Sequence, residues 1–282
     1  MGISMKNLKG KNALLTGGSM GLGPYVAQSL AREGVNIALT ARSQDKLEKV
    51  AEELRQFNVE VNVYPADIKD ETSRIGLVEE VKKSFGHIDL LINNAGVEWI
   101  SSFVDLTPDD IENLVQTNLM SPLMLTRAVL PDMLKRKSGH VVTMSSLGGK
   151  KGQPYSAPYA ATKAGLIAWN SSIRAELRDT GVSASVICPG FVSNSGMFAI
   201  YNKKAPKISG ESKPQDVGKA VIKAIKKDLQ EVLVNPNSML PAMLLDVINP
   251  AIMTSVFRKT GLHEFYRQQA LDNMQQRHEK RS

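Results

Sequence analysis

The sequence predicts an α/β protein, a doubly wound parallel sheet of about seven strands with helices on both faces. Three observations carry that expectation. Short apolar runs alternate with helical periodicities along most of the 282 residues, and right-handed crossovers between successive strands give a parallel sheet covered on both sides. The first apolar run turns through closely spaced glycines into a helix. No repeat or low-complexity linker interrupts the alternation, and a chain of this length with 42% hydrophobic residues suits one compact α/β unit better than two small ones.

Lys11 to Gly23 reads KNALLTGGSMGLG, an apolar strand followed by glycines at 17, 21 and 23. Pro24 is tolerated in the first turn of the helix that runs on to Gly34. Glycines between strand and helix let the backbone approach a diphosphate, and the helix amino end adds partial positive charge. Gly17, Ser19, Met20, Gly21, Leu22 and Gly23 are therefore candidate cofactor residues, although the spacing differs from GxGxxG. Val35 to Thr40 is the second strand, closed by Ala41, Arg42 and Ser43. An acid at this place would bond a ribose 2′-hydroxyl; an arginine can pair with a 2′-phosphate instead. Arg42 with Ser43 points to NADP(H), the other reading being a solvated arginine opening the helix Gln44 to Gln56.

Val59 to Tyr64 is the third strand, and Asp67-Ile68 beyond it serves either an adenine amino group or the cap of the next turn. A helix from Thr72 to Phe85 and the strand Ile88 to Ile92 lead to Asn93-Asn94-Ala95-Gly96. Those small residues form an ordinary turn or let a cofactor ring lie close. A long helical stretch starts at Thr107-Pro108 and ends at Lys135, with Asn118 among apolar neighbours. A buried amide there needs partners, either a held water or a neighbouring helix.

The strand His140 to Met144 ends just before Ser146, whose hydroxyl can donate to a substrate oxygen. Tyr159 and Lys163 follow, four residues apart on one helix face. A free tyrosine titrates near pH 10, and an ammonium beside it is expected to bring that value down. Val182 to Ile187, Pro189-Gly190, a lid over 191–212, a helix Pro214 to Lys227 and a strand Glu231 to Val234 complete the first unit, residues 1–238.

The remainder, 239–282, is an apolar helical extension with a basic tail. Met239 to Phe257 is interrupted by Pro241 and Pro250, so it does not supply the roughly 20 uninterrupted apolar residues of a spanning helix. Three places suit it: the substrate entrance, an oligomer interface, or a membrane surface with Arg258 and Lys259 at its edge.

The single cysteine, Cys188, excludes a disulfide framework and a multi-cysteine metal site. No metal is expected. Met1 to Gly10 is polar, so no secretory or transit segment is expected and the anticipated location is cytoplasmic, with membrane association as the variant. The net charge of +7 gathers in Lys203 to Lys227, around Arg258 and Lys259 and in the tail Arg277 to Arg281, which suits a solvated surface or, as the sharper alternative, anionic lipid or a phosphorylated ligand. No basic run is interleaved with aromatics, which argues against nucleic acid as a partner.

TGGSMGLG at 16–23, Asp67-Ile68, NNAG at 93–96, Asn118, Ser146, YAATK at 159–163 and Pro189-Gly190 occur in order. With these motifs the chain resembles the short-chain dehydrogenase/reductase family over about Leu8 to Val234. The resemblance implies a seven-stranded Rossmann fold and a catalytic tetrad of Asn118, Ser146, Tyr159 and Lys163. It also implies cofactor contacts from Tyr159 and Lys163, from Asn94, Ala95 and Gly96, and from Pro189, Gly190 and Val192. Where the family often places a threonine against the nicotinamide amide, this chain has Asn194. The implied activity is hydride transfer between NADP(H) and a carbonyl or secondary alcohol, with a non-catalytic NADP(H) sensor as the alternative.

Val97, Trp99, Leu147, Tyr155, Phe191, Met197, Phe198, Ile200 and part of Met239 to Phe257 are candidate walls. They predict a bulky hydrophobic or lipid-like ketone, with Glu98 as the one discordant polar group. A homodimer or homotetramer is the expected assembly.

Overall fold

A computed structural model describes residues 5–199, 204–206, 209–238 and 240–279, the side chains of 198, 199, 240, 242, 243, 250, 253 and 277–279 excepted. Ile200, Met239 and the Phe198 side chain, expected in the substrate wall, lie outside the described residues. The chain begins β1 (Asn12–Thr16), α1 (Gly23–Arg32), β2 (Asn36–Ala41), α2 (Gln44–Arg55), β3 (Val61–Pro65) and α3 (Glu71–Phe85). Next come β4 (Leu90–Asn93), α4 (Pro108–Val115), α5 (Ser121–Arg136), β5 (Gly139–Met144) and α6 (Ala157–Glu176). Then follow β6 (Val182–Pro189), α7 (Gly196–Ala199), α8 (Pro214–Lys227), β7 (Glu231–Val234), α9 (Leu240–Ile248), α10 (Pro250–Lys259) and α11 (Leu262–Glu279).

The seven strands form one sheet in the order β3-β2-β1-β4-β5-β6-β7, with every pairing parallel. Successive side chains of a strand point to opposite faces. Ala13 and Leu15 therefore join one core with Val26 and Leu30 of α1, Leu47 and Ala51 of α2 and Val217 and Val221 of α8. Leu14 joins the opposite core with Leu77 and Val81 of α3 and Leu125, Val129 and Met133 of α5. Every residue of β1, β5 and β6 is buried, as expected for central strands covered on both faces, and two polar ones among them, His140 and Ser185, bond each other inside.

The long stretch expected to be helical from Thr107 to Lys135 is interrupted at Gln116–Met120 by a π-helical turn that carries Asn118. Pro122 has no N–H to give the carbonyl four residues earlier, and the Ser121 hydroxyl lies 2.7 Å from Gln116 O and 2.8 Å from Ile68 O. The widened turn aims Asn118 at the residues after β4.

Beyond β7, the chain returns across the sheet's carboxyl end. Leu262, Tyr266 and Ala270 of α11 form a third cluster with Ile100, and Asn273 Nδ2 donates to Ile100 O at 2.8 Å. α9 is held to the segment after Ser146 by a Lys151–Asp246 ion pair at 2.6 Å, and it exposes Leu244, Leu245, Val247 and Ile248. Among the described residues no helix is long and apolar enough to cross a membrane.

Candidate active site

The sheet order reverses between β1 and β4, and at the carboxyl ends of those strands the chain surrounds a cleft of about 1830 Å³. One end is backbone. Gly17 adopts φ +66°, and a Cβ there would stand 2.8 Å from Ala95 Cα, so only glycine lets the loop after β1 meet the turn after β4. Asn94 Nδ2 bridges the two by donating to Thr16 O at 3.0 Å and Gly17 O at 3.2 Å. Thr16 Oγ1 accepts in return from the N–H groups of Asn94 and Ala95, at 3.0 and 3.1 Å.

Gly17, Ser19, Met20, Gly21 and Leu22 line the cleft, as do Arg42, Ser43, Asp67, Ile68, Asn94, Ala95, Gly96, Pro189, Gly190 and Val192. Gly23 has a different place. A Cβ on it would fall 2.1 Å from Gly17 O, so this glycine lets α1 start against its own loop rather than face a ligand. Asp67 Oδ1 accepts from Lys69 N at 3.0 Å, the turn-capping role weighed from the sequence. Ser43 stands at the N-cap of α2 without capping it through its side chain, and Arg42 and Lys46 are exposed beside it.

The segment after β6 covers the glycine loop. Ser195 Oγ donates to Gly21 O at 2.7 Å, and a parallel bridge pairs Val192 with Ser212, which ties together the described ends of the expected lid. Asn194 lines the cleft with φ +54°.

Ser146, Tyr159 and Lys163 come together at the other end. Ser146 Oγ accepts from Gly148 N at 3.0 Å, and it lies 3.4 Å from Pro189 O as a donor. Lys163 is only 2% exposed; its ammonium donates to Met144 O at 2.8 Å and sits 5.6 Å from the Tyr159 ring centre. Asn118 does not line the cleft and is 0% exposed. Its Oδ1 accepts from Val97 N at 2.8 Å, its Nδ2 donates to Val97 O at 2.8 Å, and Nδ2 also reaches Thr162 Oγ1 at 3.3 Å. Its main partner, the Val97 backbone in the turn after β4, is neither the water nor the neighbouring helix weighed from sequence, and α6 contributes only the longer contact through Thr162.

Electrostatics depart from the expectation at Tyr159. Burial pushes its phenol well above the ordinary range, the Glu98 carboxylate pushes the same way, and the hydrogen bond with Ser146 opposes them. The lowering anticipated from the neighbouring ammonium is outweighed, because a phenolate at this site would lose its hydration. Burial likewise brings Lys163 down to about 8, with Glu98 pulling upward. Glu98 itself is pushed up to about 7 by burial, against a hydrogen bond from Ser156 and the charge of Lys163.

The wall has members that the sequence reading missed. Leu262, Phe265 and Tyr266 of α11 line the cleft with Val97, Trp99, Leu147, Phe191, Met197 and Phe257. The Phe191 ring packs against Phe265 at 5.8 Å and Tyr266 at 6.3 Å between centroids. Leu262, Tyr266 and Ala270 recur every fourth residue, a one-face signal available in the sequence but masked by the polar residues between them. Tyr155, expected in this wall, belongs instead to a smaller neighbouring pocket with Ser101, Phe103 and His263. Among the described residues no cluster of three or more histidine, cysteine or acidic side chains forms a metal site.

A family model described as short chain dehydrogenase matches residues 11–206. Ketoacyl reductase HetN of Nostoc sp. is 39% identical over 271 residues, which cover 94% of this chain and 94% of that protein. Oxidoreductase UcpA of Salmonella typhimurium is 36% identical over 203 residues, 72% of this chain and 77% of that one. Among solved structures, a metagenomic short-chain oxidoreductase in complex with NADP superposes with a TM-score of 0.71 at 31% identity, covering 82% of this chain and all of that one. With the family model spanning most of its sheet and relatives this similar along nearly all its length, the chain belongs to the short-chain dehydrogenase/reductase family of oxidoreductases.

Proposed function

We propose that this protein is an NADPH-dependent reductase of bulky hydrophobic ketones. The observation that carries the reading is the convergence of Ser146, Tyr159 and Lys163 in one cleft that also holds a glycine loop and an aromatic wall. The residues present fit a dinucleotide. Gly17 keeps the loop open to a diphosphate, α1 begins directly behind it, and Lys163 stands close enough to Gly96 to bond a ribose hydroxyl in the same space. At the adenosine end, Arg42 takes part in no ion pair among the described residues, Ser43 leaves its hydroxyl uncommitted to the helix, and Lys46 adds a second cation. No acid closes β2, so a 2′-phosphate suits this end better than a free 2′-hydroxyl. The NADP complex of the 31% identical neighbour supports the same cofactor.

When bound, NADPH supplies hydride to the carbonyl carbon. The chain's own groups handle the oxygen. Ser146 Oγ, fixed by the Gly148 N–H, donates to the carbonyl oxygen and orients it toward Tyr159. Burial keeps the Tyr159 phenol protonated at neutral pH, the form that gives its proton to the developing alkoxide. Lys163 is held by Met144 O beneath the tyrosine and binds ribose, while Asn118 fixes the backbone of Val97 that borders the site. The substrate side is mainly apolar, and burying ligand surface there contributes about 25 cal/mol per Å². The printed name of the Nostoc relative, a ketoacyl reductase, supports an acyl or lipid-like ketone.

The test is NADPH oxidation with straight-chain ketones of rising length. The expected result is a rising kcat/KM with chain length and a loss of about 100- to 10,000-fold in Tyr159→Phe. A falling trend or a preference for polyols would overturn the substrate class. Near-normal turnover by Tyr159→Phe would overturn the chemistry, and tight NADPH binding without turnover of any carbonyl would favour the sensor.

A further inference from the structure

Glu98 is a carboxylate in a place where the proposed chemistry does not use one. It lies two residues beyond Gly96, half-buried, and lines the cleft together with Val97, Trp99, Phe257, Leu262 and Tyr266. One oxygen, Oε1, accepts from Ser156 Oγ at 2.9 Å. Ser156 is fully buried at the N-cap of α6 and makes no capping bond through its side chain, so its hydroxyl is committed to the carboxylate. The carboxylate is thereby fixed to the same helix that carries Tyr159 and Lys163. No cation lies within ion-pair distance of Glu98 among the described residues. Glu98 lines the same cleft as Tyr159 and Lys163, and its charge acts on both.

A carboxyl group in an apolar wall is costly unless it is hydrogen-bonded, and one serine leaves most of its acceptor capacity unused. A merely hydrophobic ketone would leave it unmatched. We propose that Glu98 receives a hydrogen-bond donor of the substrate, a hydroxyl or amine carried within a few bonds of the carbonyl, so that the substrate is an apolar ketone with a polar donor next to its reacting centre. The inference rests on the ketone-reductase reading and narrows its substrate class. Discrimination of this kind is large because a site built to bond a donor is left with an unpaired buried group by an analogue that lacks it.

The experiment compares a long-chain methyl ketone with its α-hydroxy and α-amino derivatives on the same carbon chain, with NADPH, in the parent, Glu98→Gln and Glu98→Leu. At least one derivative is expected to exceed the plain ketone in kcat/KM by about 10- to 100-fold in the parent. That ratio falls to near unity in Glu98→Leu. In Glu98→Gln a preference for the hydroxyl persists, since the amide oxygen still accepts, whereas a preference for the amine is lost with the charge. NADPH binding followed by fluorescence reports whether each variant is folded, and Glu98→Ala replaces Glu98→Leu in the comparison if the latter is not. Equal kcat/KM for all three ketones in the parent, or a ratio unchanged by removing the carboxylate, overturns the role of Glu98 and leaves the reductase standing. Turnover of none of them by the parent overturns both.

Discussion

Replacing Asn118 by leucine separates two functions of one side chain. The carboxamide is fully buried and holds both backbone groups of Val97, each at 2.8 Å, with a weaker reach to Thr162. Leucine has a similar shape and fills the space, so water does not take the place of the amide. Thr162 keeps its donor bond to Tyr159 O at 2.7 Å and loses little. The Val97 N–H and C=O are left without partners at about 1–3 kcal/mol each. Val97 is half-buried at the cleft edge, so solvent recovers part of that cost, and about 2–3 kcal/mol is the expected loss. Urea unfolding with an unchanged slope would read it directly. The same variant should lose turnover, because Val97 and Glu98 shift with the released backbone. Stability within about 0.5 kcal/mol of the parent, together with lost turnover, would refute the reasoning and show that Asn118 acts on the reaction rather than on the fold.

Three further outcomes are open to measurement. Arg42→Ala should cut the preference for NADPH over NADH roughly 5- to 30-fold, an exposed charge-assisted contact being worth less than a buried one; equal dissociation-constant ratios in parent and variant would contradict the 2′-phosphate assignment. His140 is buried against Ser185 Oγ at 2.8 Å, with Asp228 raising and Arg174 lowering its affinity for protons, and burial dominates to bring it from 6.5 down to about 4. The folded ring stays neutral while the unfolded ring gains a proton below pH 6.5, so this stabilisation is complete above 6.5 and is lost as pH falls toward 4, by about 3 kcal/mol at most. Denaturation midpoints of the parent and His140→Asn should therefore converge between those pH values, and parallel curves would rule the linkage out. Tyr266→Ala removes a ring that is 3% exposed and lines the cleft, so the kcat/KM ratio of a branched to a straight ketone should rise, with a stability cost of about 3–5 kcal/mol. An unchanged ratio would show that the ring packs the cover without shaping the site.

Local chemistry made much of this protein legible from its sequence. All seven strands could be placed within a few residues, the central β1 and β5 from apolar runs such as ALLT and VVTM that burial on both faces favours, and the half-buried edge strands β3 and β7 from their place in the alternation of strand and helix. The glycine turn, NNAG, Ser146 and the Tyr159–Lys163 pair were visible because each sits at a strand end or on one helix face, where spacing along the chain fixes spacing in three dimensions. Contacts between distant segments were not legible. That Asn118 spends its amide on Val97, that α11 crosses back to bring Tyr266 to the cleft, and that Ser156 pins Glu98 in the cleft wall depend on pairings separated by 21, 58 or more residues. The sign of the Tyr159 shift belongs with them. Sequence spacing located the ammonium, but burial is a property of everything packed around a group, and only the assembled cleft decided that desolvation outweighs the nearby charge.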